Sequence, residues 1–548
     1  MRVSSRPRQH QACPGATVGA VKGGGRVDYQ PRVNPRKWLW GPGRPPRRLA
    51  HIDAPPPALG ERLLDGLPGF LAWASLILVV VGAIYDPWSV FGVAAIIGAY
   101  MAARLALAGI ANLHGLRRIR AWEAIDWREE YERRRTSESL AWDAVRHVMI
   151  IPNYREDIRV LRNTLERLAS MSQAREQMIV VLAMEASDPS GESTAAILRA
   201  EFSASFRHVL VTMHPRGLPG EVAGKSSNES WAARAAAREL VSDLGYSLDH
   251  ILVTIMDADS LLHPRYVECL TCLFATSPDR HHQLWQAPIR YHGNVWDASP
   301  ALNLVQVYSS SWELAYLAGW WWQGMPISTY SLSLRLADDV GYWDTNVIAE
   351  DWHMFIKCYF HRRGKLRIAP VYLPFVAYPV AGSNFLDSCR NRYQQTLRHA
   401  WGAKEIGYTL RQMVARPAPL FRATRVFLRV SHDHFMAGAG WVIMTFGTQL
   451  PILLKPELVI DGLWTPQFIL LQISLLTVAF TGVLFWMIDM QLRPPRPRPW
   501  TLRERLLTVG SFLVLPALVL FLLAIPVIEA QTRLMLGFSL DYKVARKV

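Results

Sequence analysis

Five stretches of this 548-residue chain carry almost no charge over a length that can cross a bilayer. They are "PGFLAWASLILVVVGAIYDP" (68–87), "WSVFGVAAIIGAYMAARLALAGIANL" (88–113), and segments near 435–454, 466–488 and 506–530. Each runs to about 17 to 25 residues, and as a helix that length covers the roughly 30 Å of hydrocarbon in a membrane. Arg44, Arg47, Arg48 and Arg62 precede the first pair, and Arg117, Arg118 and Arg120 follow it. Basic residues collect on the cytoplasmic side, so the pair (domain boundaries 66–113) reads as a hairpin with both ends in the cytoplasm. The link "QLRPPRPRPWTLRER" (491–505) is strongly basic and is expected on the same side, whereas "KPELVIDGLW" (455–464) is nearly neutral. The three later segments (about 435–530) bring the total to five and place the tail "DYKVARKV" outside.

The rest of the chain is basic. The formal net charge is +15, which favours negative partners such as anionic lipid, nucleic acid or a phosphorylated substrate. Residues 1–65 are rich in Arg, Pro and Gly and are expected to be disordered, having too little apolar surface to fold alone. Five cysteines form no even framework. Cys269 and Cys272 have C-x-x-C spacing, but they fall in the helical pattern "RYVECLTCLF" with no second pair or histidine cluster, so a buried structural role is expected.

Residues 145–410 follow a different rule. "HVMIIPNY" (147–154), "QMIVVLAME" (177–185), "RHVLVTMH" (207–214) and "HILVTIMDAD" (250–259) are continuous apolar runs of the kind buried on both faces of a sheet. "EDIRVLRNTLERLAS" (156–170) and "SSNESWAARAAARELVSDLG" (226–245) between them have helical periodicity. The alternation predicts an α/β domain with a mostly parallel sheet, whose ligands bind at the carboxyl ends of the strands.

Polar residues gather at those ends. Asp257 and Asp259 follow the fourth run with D-x-D spacing. A hard cation such as Mg²⁺ takes a few oxygens from protein and the rest from water and phosphate, so the pair suits a metal bridging a diphosphate. It equally suits strand-end caps before "LLHPRYVECL". Glu350 and Asp351 open a predicted helix in "NVIAEDWHMFIKCYFHRRG" (346–364). There they either satisfy the helix dipole or supply a general base for a sugar hydroxyl. "YQQTLRHAWG" (393–402) sits in the amphipathic stretch 388–413, just before the third apolar segment. It is either an interfacial helix or a site where Arg398 grips a diphosphate and Trp401 packs on a ring. "IIPNYRED" (150–157) closes the first run with Asn153, Tyr154 and Glu156, and "GKSSN" (224–228) starts a helix with Lys225, a placement that suits phosphate.

The order I-P-x-Y-x-E, an acid after the second strand, G-K-x-x-N, D-x-D, E-D and Q-x-x-R resembles the family 2 glycosyltransferases, nearest to membrane-embedded synthases of the cellulose, chitin and hyaluronan type. The resemblance covers roughly residues 145–410 and extends to the flanking helices. It implies a GT-A-type domain and an inverting transfer from a nucleotide-diphosphate sugar, aided by Mg²⁺ or Mn²⁺. It further implies that Asn153, Tyr154, Glu156 and Glu185 contact the nucleoside, with Asp188 as a second choice for the acid. Lys225 would hold the donor, Asp257 would contact donor and metal, and Asp259 the metal. Asp351 would be the base, with Glu350 beside it. Gln395, Arg398 and Trp401 would line the donor and acceptor site, and "PISTYSLSLR" (326–335) would lie on the acceptor side. The chain departs from the pattern where His399 replaces the expected Trp of Q-x-x-R-W.

The expected activity is therefore sugar transfer to a polysaccharide or lipid-associated acceptor at the cytoplasmic face of a membrane whose lipids the chain contacts. Transfer of one sugar to a polyisoprenyl or other lipid is the alternative enzyme. A non-catalytic transporter or scaffold is the alternative from another class, but it would call for charges inside the spans. No nucleic-acid partner is expected. Two basic or aromatic stretches stay unassigned. "GWWWQG" (319–324) suits sugar stacking or a membrane interface, and "FHRRGKLR" (360–367) suits a helix end or contact with lipid headgroups.

Overall fold

The structure is a computed structural model that describes residues 59–458 and 465–538. Residues 1–58 of the tail expected to be disordered lie outside it, as do 459–464 and the last ten residues. Among the described residues five helices are long and apolar enough to cross a membrane: Gly60–Tyr85, Pro87–Glu123, Leu420–Leu454, Pro466–Leu492 and Leu502–Leu536. They cover the five apolar segments, except that the first segment's Asp86 and Pro87 fall at the cap and start of the second helix, and they run past most segment ends. The first begins inside the stretch assigned to the tail, because Glu61 and Asp65 pair with Arg411 and Lys404 of the globular domain. Asp86 caps the second helix by accepting from Ser89 N, and Pro87 occupies the first turn, where its missing N–H costs nothing.

The globular domain is built on a seven-stranded sheet in the order β3-β2-β1-β4-β7-β5-β8. Its strands are β1 (Arg146–Asn153), β2 (Met178–Glu185), β3 (His208–His214), β4 (Ile251–Ile255), β5 (Gln283–Gln286), β7 (Tyr330–Ser333) and β8 (Arg367–Pro370). A second, two-stranded sheet pairs β6 (Ile289–Arg290) with β9 (Phe375–Val376). The first four strands are the four long runs seen in the sequence, and they pair in parallel. Successive side chains point to opposite faces and both faces are covered. Met149, Ile151, Val180 and Leu182 enter one apolar cluster, while Val148, Ile150, Ile179 and Val181 enter the other. Cys269 and Cys272 are buried in the first cluster and Cys358 in the second, as packing residues with free thiols.

Two features of the topology place the site. The chain moves outward from β1 to β2 and β3, then returns to the other side of β1 with β4. That reversal opens a crevice beyond the carboxyl ends of β1 and β4. Next, β7 is antiparallel to both its neighbours, with Tyr330 opposite Ile255. Two residues beyond that last pair stand Asp257 on one side and Ser328 on the other, so the antiparallel register itself brings the loop before β7 onto the D-x-D segment.

Two further contacts, besides those of Glu61 and Asp65, fix the domain to the apolar helices. Helix Pro300–Ala318 lies on helix Pro87–Glu123, where Asn112 Nδ2 donates to the Ser311 carbonyl at 2.8 Å. At Gly115 a Cβ would stand 2.6 Å from Leu314 Cδ1, so only glycine permits this approach. The amphipathic stretch 388–413 forms two helices, Phe385–Ala400 and Lys404–Ala415, broken by a tight turn at Trp401–Ala403. The first docks on helix Ile525–Leu536 through a hydrogen bond from Tyr393 Oη to Glu529.

Candidate active site

Ser328 lies at the centre of the crevice. Its hydroxyl donates to Asp257 Oδ2 at 2.7 Å, and its backbone N–H donates to Asp351 Oδ2 at 3.2 Å. One residue thus joins two acids that are far apart in the chain. Its φ is +57°, a conformation that a residue with a Cβ rarely adopts. Such strain persists only where the surroundings hold it.

Lys225 is the first residue of helix Lys225–Ala237, which follows an extended Gly224. Its ammonium lies 2.9 Å from Asp257 Oδ1, 2.8 Å from Glu350 Oε1 and 3.5 Å from Glu229 Oε1, and it donates to the Ser328 carbonyl at 3.2 Å. Burial would lower its pKa, but Asp257, Glu350 and Glu229 outweigh that and hold it charged. One cation therefore faces several carboxylates, and their titrations reflect it. Burial pushes Glu229 well above the ordinary carboxylate range, with Lys225 pulling the other way. Asp351 is raised to about 7, first by burial and then by the neighbouring Glu350 charge, against the pull of Lys225. Glu350 and Asp351 occupy the first turn of helix Glu350–His361.

The other expected site residues lie around this core. Asp259 is 2% exposed and accepts from Tyr378 N at 3.3 Å, beside the bridge between Leu261 and Val376. The side chain of Asp257 is 33% exposed and open to the crevice. Among the described residues, no group of three or more His, Cys, Asp or Glu forms a ready metal site. Asn153 ends β1, buried, and its Oδ1 accepts from Glu156 N at 3.3 Å. The next residue, Tyr154, has the Arg155 guanidinium over its ring at 5.0 Å. Glu185 ends β2 but is engaged by His214 Nδ1 at 3.1 Å, whose other nitrogen meets Glu221 at 2.9 Å. Burial opposes the imidazolium, yet the two glutamates raise His214 to about 9. Asp188 is the acid that reaches the loop after β1, accepting from Arg155 N at 3.0 Å.

On helix Phe385–Ala400, Gln395 accepts from Arg392 Nη1 at 2.9 Å, and Arg398 is half-buried one turn later. His399, the next residue, is exposed. Trp401 is not brought to the crevice. It is 7% exposed and packs with Leu397, Val527, Ala530 and Leu534, which ties the end of this helix to the last apolar helix.

The profile of one family, glycosyl transferase family group 2, matches residues 252–525, half of the chain. The chain belongs to this family. Comparison with curated proteins found no match. Among solved structures, this family 2 glycosyltransferase is similar to the mannosyltransferase PcManGT from Pyrobaculum calidifontis, in complex with GDP-Man and Mn2+. Identity is 15% and the TM-score 0.38, over 78% of this chain and 97% of that one. It is also similar to residues 1–349 of S. aureus TarS, at 11% identity and a TM-score of 0.30, over 68% of this chain and 90% of that one.

Two participants escaped the sequence reading. Ser328 lay in the stretch expected on the acceptor side but had no individual signal. Glu229 stands one helical turn from Lys225, a spacing that reads as an ordinary surface ion pair.

Proposed function

We propose that the protein is an inverting glycosyltransferase that moves a sugar from a nucleotide-diphosphate donor to a polysaccharide or lipid-associated acceptor. The observation that carries this reading is the meeting of Asp257 and Asp351 on Ser328, next to the Lys225 ammonium. Asp351, with a pKa near 7, is the general base. It takes the proton of an acceptor hydroxyl as that oxygen attacks C1 of the donor sugar. The new O–C1 bond forms as the bond from C1 to the diphosphate breaks on the opposite face. The diphosphate leaves with the electron pair, and the anomeric configuration inverts without a covalent enzyme intermediate. Lys225 and Arg398 offer positive charge to the departing group. Glu350 orients Lys225 and helps to keep the Asp351 pKa high. Asn153, Tyr154, Glu156, Glu185 and Gln395 surround the nucleotide and sugar.

The donor set fits Mg²⁺ or Mn²⁺. A cation that takes most of its ligands from diphosphate and water needs only one or two carboxylates, and Asp257 and Asp259 would hold it. When bound it neutralises charge on the diphosphate. The basic flanks of the apolar helices argue for a catalytic domain on the cytoplasmic face.

The test is sugar transfer by purified protein over a panel of nucleotide sugars with Mg²⁺ or Mn²⁺. Turnover with inversion supports the reading, and binding without turnover overturns it. His399, which stands where the family pattern has Trp, favours a second reading, the addition of one sugar to a lipid acceptor. Product length decides, since a ladder of products would exclude it.

A further inference from the structure

The two stretches left unassigned in the sequence meet at one cavity. It has a volume of about 460 Å³ and is lined by Trp320 and Trp322 from "GWWWQG", by Lys365 and Arg367 from "FHRRGKLR", and by Arg422 and Arg425 from helix Leu420–Phe435. None of its lining residues is acidic. Arg422 and Arg425 spend only single hydrogen bonds of 3.3 Å, on the carbonyls of Gly364 and Trp320. Arg367 is shared with Asp279 at 3.3 Å. Four cations thus converge on an open space with one carboxylate among them. Helix Glu350–His361 separates this space from the carboxylate cluster. Tyr359, on the cavity wall, is eight residues from Asp351, about 12 Å of helix.

The cavity lies at the level of a lipid boundary. Trp321 and Trp322 pack on the cluster that Leu105, Ala108 and Ala111 form with helix Pro300–Ala318. Those residues are 18 to 24 positions along the helix that starts at Pro87, or about 27–36 Å, where a hydrocarbon layer of roughly 30 Å would end. Beside the cations, Trp320 and Phe421 are 85% and 80% exposed, large apolar rings that water alone would disfavour. Rings at headgroup level next to a basic pocket are a combination suited to the phosphate end of a lipid.

We propose that this cavity binds the headgroup of an anionic phospholipid, with Lys365, Arg422 and Arg425 on the phosphate and Trp320 and Phe421 in the acyl boundary. The test uses the purified full chain in neutral detergent, titrated with dioctanoyl phosphatidylglycerol, dioctanoyl phosphatidylcholine or inorganic phosphate. Phosphatidylglycerol is expected to bind, and phosphatidylcholine at least tenfold more weakly. Each removed charge should cost about fivefold in affinity, so Arg422→Gln with Arg425→Gln should weaken phosphatidylglycerol by about 25-fold. Arg422→Lys with Arg425→Lys keeps the charge and should stay within about fivefold of the parent, which separates loss of charge from loss of fold. The proposal fails if both lipids bind alike, or if the Gln pair binds as the parent does. It also fails if the Lys pair loses the lipid as completely as the Gln pair. Displacement of the lipid by millimolar inorganic phosphate would overturn the lipid assignment in favour of a free-phosphate site.

Discussion

Glu350 and His353 stand one turn apart on helix Glu350–His361, and the charges around them are settled in opposite ways. On the first turn a single ammonium, Lys225, faces Glu229, Asp257 and Glu350, with Asp351 tied to the same cluster through Ser328. One turn on, His353 lies between Asp344 at 2.8 Å and Glu405 at 2.9 Å, and Lys357 pairs with Asp344 at 2.5 Å. The second cluster has as many cations as anions. Burial there would raise Asp344, but hydrogen bonds from His353 and Lys357 hold it at about 2. Burial would lower His353, but Glu405 and Asp344 raise it to about 9. Every charge is stabilised by its neighbours. In the first cluster Asp351 moves the other way, to about 7, because burial and Glu350 oppose its ionisation. A balanced network holds helix Glu350–His361 to helix Lys404–Ala415, and an over-acidic one keeps a carboxylate ready to accept a proton. Burial pushes both carboxylates up, and it is the supply of cationic partners that decides whether the push is offset, as at Asp344, or reinforced, as at Asp351.

The largest effect expected is on catalysis. Asp351→Asn should lower kcat by about 100- to 10,000-fold, the range for a lost general base, while leaving the melting temperature unchanged or slightly higher. Transfer assays with a thermal melt on the same preparation check both halves. Full activity in this variant would remove Asp351 from the reaction. Lys357→Met should act in the reverse sense. It leaves half-exposed Asp344 with His353 as its remaining partner and should destabilise the protein by about 1–3 kcal/mol, with kcat changed little in the fraction that stays folded. If Lys357→Met abolished turnover without lowering the melt, the division between the two clusters would be wrong.

One side of this comparison is legible in the sequence, while the balanced cluster of Asp344, His353, Lys357 and Glu405 and the contacts at Ser328 are not. β1 to β4 were legible because strands buried on both faces are long and unbroken in their apolar character. β5 to β9 are two to four residues each, too short to show a period, and the antiparallel insertion of β7 leaves no local mark. Lys225, Asp257, Glu350 and Asp351 stood out as charges at strand or helix ends. Ser328 did not, since a serine before a short strand has no period or charge to signal its role. The packing of Trp401 against Val527, Ala530 and Leu534 depends on a contact across more than 120 residues, which local pattern cannot supply.

A pH series sharpens the contrast at smaller amplitude. As the base of the proposed reaction Asp351 acts when ionised, so kcat/KM should rise as pH increases through about 7 and then level off. Its folded pKa lies above the ordinary 3.8, so its ionisation costs stability as pH rises from about 4 to 7. His353 has a folded pKa of about 9 against an ordinary 6.5, so its stabilisation is complete below 6.5 and is lost as pH rises through 9. Asp344, held near 2, contributes above 3.8 and fails only as pH falls through 2. Activity should thus climb between pH 6 and 8 while the melting temperature declines towards pH 9. His353→Gln should flatten the alkaline decline and leave the activity profile in place. If the substitution moved the activity profile instead, the two clusters would be titrating as one.

The smallest effect concerns strain. Each cluster includes one residue with positive φ, Ser328 at +57° and Tyr342 at +63°, so strain by itself does not tell the two apart. What differs is the use of the strained residue. Tyr342 meets its cluster through its carbonyl, which accepts from Lys357 at 2.8 Å, and its hydroxyl donates away to Asp338 at 2.9 Å, whereas Ser328 gives its hydroxyl and its N–H to two different acids. Ser328→Ala removes the hydroxyl and keeps the strain, so it should cost about 0.5–1.5 kcal/mol, read as a lower melt. Ser328→Gly removes both. Release of the left-handed conformation returns about 1–2 kcal/mol and offsets the lost bond, so its melt should match the parent. Both variants should lower kcat/KM alike if the hydroxyl positions Asp257. Should Ser328→Gly keep full activity while Ser328→Ala does not, the conformation of the loop rather than its hydroxyl is what the site requires.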